Sequence, residues 1–283
     1  MHTNTTPPIS IAILGCGWLG TPLAKTLQAR YSVIVSTTRA EQQQQLITQG
    51  LSATLLSIPC PQRRLRLSPI MQQSVLIIAL PPKFRSGQRD YVDHIKSIVA
   101  AAKHNNISQL ILISSTAVYE GLTGKVTEQS LLSLASDKAK MIAQAEQYVL
   151  AYTDDNHQGC VIRLGGLVGE KRYPGYFLAG KQQLLNGGAP VNLIHQVDAI
   201  GIIQAVVNQQ SSGIFNGVCD THISKQQFYQ QACLLKGLVS PTFAPLTFEQ
   251  NAANAKIIDN QKVQQVLTYQ FRYPDLVTWL TSY

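Results

Sequence analysis

Residues 9–20 read ISIAILGCGWLG. An apolar run of strand length breaks into Gly15, Gly17 and Gly20 at the spacing GxGxxG, and Leu19, Leu23 and Leu27 follow at helical spacing. Strand, glycine turn and helix in that order predict a dinucleotide-binding unit. Gly15 permits the tight turn, Gly17 lets the backbone approach a pyrophosphate, and Gly20 lets the helix pack on the strand. Gly15, Gly17, Trp18, Leu19 and Gly20 are therefore the expected cofactor loop, with the amides of a helix starting near Trp18 aimed at the phosphates.

The following stretch, YSVIVSTTR, predicts a second strand over 33–35 that ends in Ser36, Thr37, Thr38 and Arg39. A preference for NAD calls for an acidic residue here, on the ribose 2′-hydroxyl, and none is present. A guanidinium flanked by hydroxyls suits a 2′-phosphate instead. The expected cofactor is NADP, with Arg39 and one or more of Ser36, Thr37 and Thr38 as phosphate ligands. EQQQQLITQ, 41–49, reads as a helix whose glutamines face solvent. Strands are expected near 53–56 and over 75–80, the latter running into Pro81 and Pro82, which cannot continue a central ladder. The turn at Leu80 and Pro81 would lie beside the cofactor.

A helix over 87–104, with Tyr91, Ile95, Ile98 and Ala102 on one face, and a strand over 110–113 continue the alternation. The expected fold is α/β, a Rossmann-type doubly wound parallel sheet with a small C-terminal substrate-binding lobe. Its cofactor domain would span 1–165, with elements within about 190–220 returning to it, and the lobe 166–283.

Composition narrows the function classes. With 283 residues, 45% hydrophobic and 13% charged, the chain can bury a full core. No apolar run reaches 18 residues, which argues against a membrane-spanning helix. The first residues, MHTNTTPP, lack the basic and apolar blocks of a signal peptide. Five cysteines without a CxxC pair suggest neither a disulfide framework nor a zinc site. A cytoplasmic, metal-free protein is expected. The net charge of +8 raises nucleic acid as a partner, but the basic residues are scattered apart from RRLR at 63–66, read as a solvated loop. An anionic cofactor and an anionic small-molecule substrate account for the charge.

Four later segments carry a family resemblance: ISSTAVYEG at 113–121, RLGGLVGEKRYPGYFLAGK at 163–181, VNLIHQVDAIGII at 191–203 and KIIDNQKVQQVLTYQFRYPDL at 256–276. With the glycine loop, they resemble the extended short-chain dehydrogenase/reductase superfamily, in its atypical NAD-dependent epimerase/dehydratase-like branch, the YeeZ-like proteins. The branch departs from ordinary extended members in its glycine motif, GxGxxG replacing GxxGxxG. The resemblance implies an oxidoreductase, epimerase or dehydratase acting at a carbonyl or hydroxyl carbon of, for instance, a nucleotide sugar. It implies that Ser115, four residues before Tyr119, holds the reacting oxygen. It also suggests a homodimer through the helices at 87–104 and 133–153.

The superfamily's acid/base motif, YxxxK, is missing: no tyrosine has a lysine four residues on. In SDKAKMIAQAEQYVLAY, 136–152, Lys140 pairs with Ser136 in one register; anchored on Glu146, Lys138 takes the Tyr place and Ile142 the Lys place. A positioned acid/base is worth about 10²- to 10⁴-fold in rate. Lys138 or Lys140 could stand in if burial lowers its pKa, as could Tyr119; the alternative is that both lysines are solvated. Without a stand-in, the chain would be a non-catalytic NADP-binding sensor or scaffold. For an anionic substrate the candidates are Arg163, Arg172, Tyr173 and Lys181, with Asn192 as a further substrate-binding residue. Arg163 alternatively ties down a loop. His195 reads as a loop-fixing residue and Asp198 as the N-cap of a helix to Asn208.

Overall fold

The computed structural model describes residues 9–82, 90–245 and 256–282. In chain order the first half alternates β1 (Ser10–Leu14), α1 (Gly20–Leu27), β2 (Ser32–Thr37), α2 (Ala40–Thr48), β3 (Ser52–Leu55), α3 (Gln62–Arg66), β4 (Val75–Ile78), α4 (Tyr91–His104) and β5 (Gln109–Ser115). Then follow β6 (Gly124–Val126), α5 (Asp137–Leu150), β7 (Gln158–Leu164), β8 (Gly166–Val168), α6 (Gly175–Leu178), β9 (Leu193–His195), α7 (Gln196–Gln209) and β10 (Gly213–Gly217). The chain closes with α8 (Lys225–Leu235), β11 (Lys256–Ile258), α9 (Gln261–Val266) and α10 (Leu276–Ser282).

Seven strands form one parallel sheet in the order β10-β7-β5-β4-β1-β2-β3. This is the doubly wound Rossmann architecture read from the sequence. β1 and β4 are buried over Ile11–Leu14 and Val75–Ile78, as continuous apolar runs must be when helices cover both faces of a parallel sheet. β1 pairs with β2, Leu14 opposite Ser36, and with β4, Leu14 opposite Ile78. The winding direction reverses between β1 and β4, and a doubly wound sheet binds its ligand outside the strand ends at such a switch.

Two compact units divide the chain. One consists of Met1–Ser114, Met141–Val161 and Val206–Gly213, the other of Ser115–Lys140, Ile162–Ala205 and Ile214–Tyr283. In the first, Leu23, Ala24 and Leu27 of α1 and Ile95, Ile98 and Ala102 of α4 are buried. The second has its own core, in which Tyr173, Leu193, Phe228, Leu276 and Trp279 pack together.

The structure differs locally from the sequence reading. RRLR lies in a short helix, α3, because Leu65 is fully buried and pulls the segment into a turn. Residues 87–89 of the helix expected over 87–104 lie outside the described residues; the described helix starts at Tyr91. Asp198 is not an N-cap but lies inside α7, where its buried carboxylate accepts from the Tyr269 hydroxyl and from the amides of Arg272 and Tyr273. It anchors the C-terminal aromatic segment within the second unit.

Candidate functional site

The glycine loop has three separate geometries. Gly15 sits at φ +105°, where a side chain is strained, and an added Cβ would stand 2.8 Å from the Ala79 carbonyl oxygen. At Gly20 a Cβ would stand 2.3 Å from the Gly15 carbonyl oxygen, so the start of α1 packs directly on the turn. Gly17 is the opposite case: exposed, with nothing within 4 Å of an added Cβ. The fold itself requires glycine at Gly15 and Gly20 and leaves open space at Gly17. α1 begins at Gly20, two residues beyond the predicted start, because Trp18 and Leu19 complete the turn.

A cavity of about 330 Å³ opens over this loop. Gly15, Gly17, Thr38, Arg39, Leu80 and Pro81, all expected near a cofactor, line it. Trp18, Leu19 and Gly20 do not; Leu19 and Gly20 are buried beneath the loop. The walls also include Ile58, Tyr91 and His94, which the sequence assigned only to a loop and a core helix. Burial pushes the Tyr91 hydroxyl far above its usual range, so it stays a neutral hydroxyl.

At the end of β2 the hydroxyls divide their work. The Ser36 hydroxyl accepts the Gly15 amide at 3.2 Å, and the Thr37 hydroxyl accepts the Arg39 amide while donating to Gln42 Oε1 at 2.7 Å. Both are buried and occupied in holding the loop. Thr38 and Arg39 are exposed on the rim. Gln42 is another residue the sequence reading missed. Although read as solvent-facing, it is half-buried: its Nε2 donates to the Cys16 carbonyl at 2.7 Å, and its Oε1 also accepts from Arg39 Nη2 at 3.2 Å.

The acid/base candidates belong to the second unit. Ser115 Oγ accepts the Ala117 amide at 3.2 Å and thereby caps the single 3₁₀ turn Thr116–Tyr119. Its hydroxyl hydrogen is left to donate. Tyr119 is fully buried, its hydroxyl accepting from Arg163 Nη1 and donating to Asn216 Oδ1, both at 2.8 Å. Burial pushes its pKa up, opposed by the Arg163 guanidinium. So enclosed, Tyr119 braces the turn it ends, with both hydroxyl partners inside the unit.

Lys138 and Lys140 are exposed on the first turn of α5. Ser136, the register partner of Lys140, caps that helix by accepting the Ala139 amide and donates to Glu120. A lysine in the tail has a more enclosed position: Lys256, on β11, is half-buried and donates from Nζ to the Tyr119 carbonyl at 3.0 Å. Burial pulls its pKa down, the charge of Lys138 adds to the shift, and Glu120 opposes it. Ser115 and Lys256 thus hold opposite ends of the same 3₁₀ turn. No spacing pattern marked Lys256, because strand pairing between β11 and β6 brings it there.

The substrate candidates separate. Arg163 is buried, its guanidinium 4.8 Å from the Tyr119 ring centroid, a position inside the unit that matches the tying role offered as its alternative. Asn192 braces β11, donating to the Lys256 carbonyl and accepting the Ile258 amide. Arg172 is exposed, over the Phe177 ring. His195 is buried against Tyr273 and Trp279, and its Nδ1 accepts the Val197 amide. Among the described residues no helix is long and apolar enough to cross a membrane, and no three His, Cys, Asp or Glu gather to hold a metal.

No protein-family model matches the chain. Among solved structures it is similar to a UDP-glucuronic acid 4-epimerase from Bacillus cereus in complex with UDP-glucuronic acid and NAD. That match has a TM-score of 0.77 and 15% identity, over 96% of each chain. It is also similar to the human epimerase family protein SDR39U1 (isoform 2) with NADPH, at a TM-score of 0.74 and 16% identity, over 97% of this chain and 98% of that one. These likenesses fix the fold. A sequence relative goes further: Protein YeeZ of Escherichia coli K12 is 32% identical over 273 residues, 94% of this chain and 96% of the relative. The chain belongs to the YeeZ family.

Proposed function

We propose that this chain is an NADP-dependent oxidoreductase of the epimerase/dehydratase type, acting at a carbonyl or hydroxyl carbon of a nucleotide sugar. The observation that carries the reading is the cavity over the glycine loop, where an open face at Gly17 meets an exposed Arg39 on a rim without a carboxylate. These residues fit the group: the loop admits a pyrophosphate at Gly17, and Thr38 and Arg39 receive a 2′-phosphate. Structural relatives solved with NAD or NADPH, one of them also with UDP-glucuronic acid, support the cofactor and substrate classes.

A bound nicotinamide supplies or takes the hydride. Within the chain, Ser115 holds the substrate oxygen through its free hydroxyl hydrogen. A lysine of the second unit moves the proton: Lys256 is the favoured carrier because burial brings its ammonium closer to neutrality, with the exposed Lys138 and Lys140 as the other candidates. Arg172 receives anionic substrate. The enclosed Tyr119 and the exposed Lys138 and Lys140 favour a second reading, an NADP-binding protein without turnover.

Incubation with NADP and a panel of UDP-hexoses and UDP-hexuronic acids separates the two. Product chromatography and nicotinamide absorbance are the readouts. Conversion of any member supports the enzyme; cofactor binding with no conversion across the panel supports the binder.

A further inference from the structure

The Gln42 side chain is the junction between the glycine loop and the end of β2. Its Nε2 holds the Cys16 carbonyl, while its Oε1 receives both the Thr37 hydroxyl and the Arg39 guanidinium. It lines the same cavity as Gly15, Gly17, Thr38 and Arg39. We propose that Gln42 is the positioning residue that sets cofactor choice, an uncharged latch that aims the Arg39 guanidinium at a 2′-phosphate without neutralising it. The inference rests on the proposed NADP site.

Gln42 is the third residue of α2, and the first turn of a helix favours a carboxylate over a neutral side chain. Glutamate has the same length and would accept from Arg39 as well. It would also form an ion pair there, cancelling the charge a phosphate needs, and its oxygens would face the Cys16 carbonyl without a hydrogen to donate. An amide donates to the loop and accepts from the arginine at once. Glu41, the acid in that turn, is exposed and does not line the cavity. Among the described residues no carboxylate pairs with Arg39. The guanidinium is thereby oriented and left charged.

The two cofactors differ only at the 2′ position, so the ratio of their dissociation constants reads Arg39 separately from loop damage, which weakens both alike. The experiment measures Kd for NADPH and for NADH on wild type, Gln42→Glu, Gln42→Met and Arg39→Ala, at low and raised salt, with thermal melts as the folding control. Expected are a wild-type preference for NADPH that shrinks with salt and a preference at least about tenfold smaller in Gln42→Glu, which is insensitive to salt. Gln42→Met, which loosens the arginine without neutralising it, falls between. Arg39→Ala matches Gln42→Glu. If Gln42→Glu and Gln42→Met keep the wild-type ratio while Arg39→Ala loses it, the latch is wrong and the NADP site stands. If wild type binds neither cofactor, or Arg39→Ala leaves the ratio unchanged, the NADP site falls and takes the latch with it.

Discussion

Arg163 and Tyr119 form a buried pair in which guanidinium Nη1 donates to the tyrosine hydroxyl at 2.8 Å, and the hydroxyl passes its own hydrogen to Asn216. This geometry makes the tyrosine a brace for the turn that starts at Ser115. Tyr119→Phe leaves the guanidinium and Asn216 Oδ1 each short of a partner, with an expected loss of about 1–3 kcal/mol of stability. Denaturant melts check it. A variant as stable as wild type that has lost turnover would return Tyr119 to the catalytic group.

Gly17 and Gly20 predict opposite outcomes for the same substitution. In Gly20→Ala the new methyl meets the Gly15 carbonyl oxygen at 2.3 Å, so backbone has to move and stability falls by about 1–3 kcal/mol. Gly17→Ala meets nothing in the protein, and its stability stays within about 1 kcal/mol of wild type. Its affinity for NADPH drops at least about tenfold, because the methyl occupies the pyrophosphate's approach. Titration of the folded variant decides; undiminished affinity would remove Gly17 from the cofactor loop.

The glycine loop was legible because a parallel strand buried on both faces is a continuous apolar run, and Ile11–Leu14 is one. The rim was legible at Arg39, where the absence of a carboxylate is a property of sequence alone. Gln42 was not, since its partners Cys16, Thr37 and Arg39 come from two sides of a turn and four adjacent glutamines look alike in a helical pattern. Lys256 was hidden for a related reason: a three-residue strand has no period to detect, and the pairing of β11 with β6 is what brings the side chain to Tyr119. Asp198 misled because an aspartate near a helix start is read as a cap, while here three partners from the tail claim it.

Lys256 carries the prediction about proton transfer. Lys256→Met lowers kcat by about 10²- to 10⁴-fold and removes the basic limb of its pH profile. Lys138→Met with Lys140→Met has a smaller effect and moves that limb upward, because the Lys138 charge helps lower the Lys256 pKa. Turnover and pH profile both unchanged in Lys256→Met would exclude it as the carrier.

His195 gives the chain an acid-sensitive spot. Burial pulls its pKa down to about 4, from an ordinary value of 6.5. Between those values the unfolded chain binds a proton that the folded chain refuses, so stability falls as pH drops through the window and is unaffected by this group above it. The loss from His195 reaches about 3 kcal/mol at the acid end. A pH series of denaturant melts should show a shallower decline in His195→Phe, which keeps an aromatic ring beside Tyr273 and Trp279 but has no titrating group. Parallel declines in the two proteins would mean that His195 titrates normally.

Calorimetric titration of the purified protein with NADPH and with NADH asks whether the glycine loop and Arg39 form a working NADP site. Expected are tight binding of NADPH, weaker binding of NADH, and about 2.7 kcal/mol of added stability when NADPH is present at 100 times its dissociation constant. Heats indistinguishable from dilution for both cofactors, with no stabilisation by either, would contradict it.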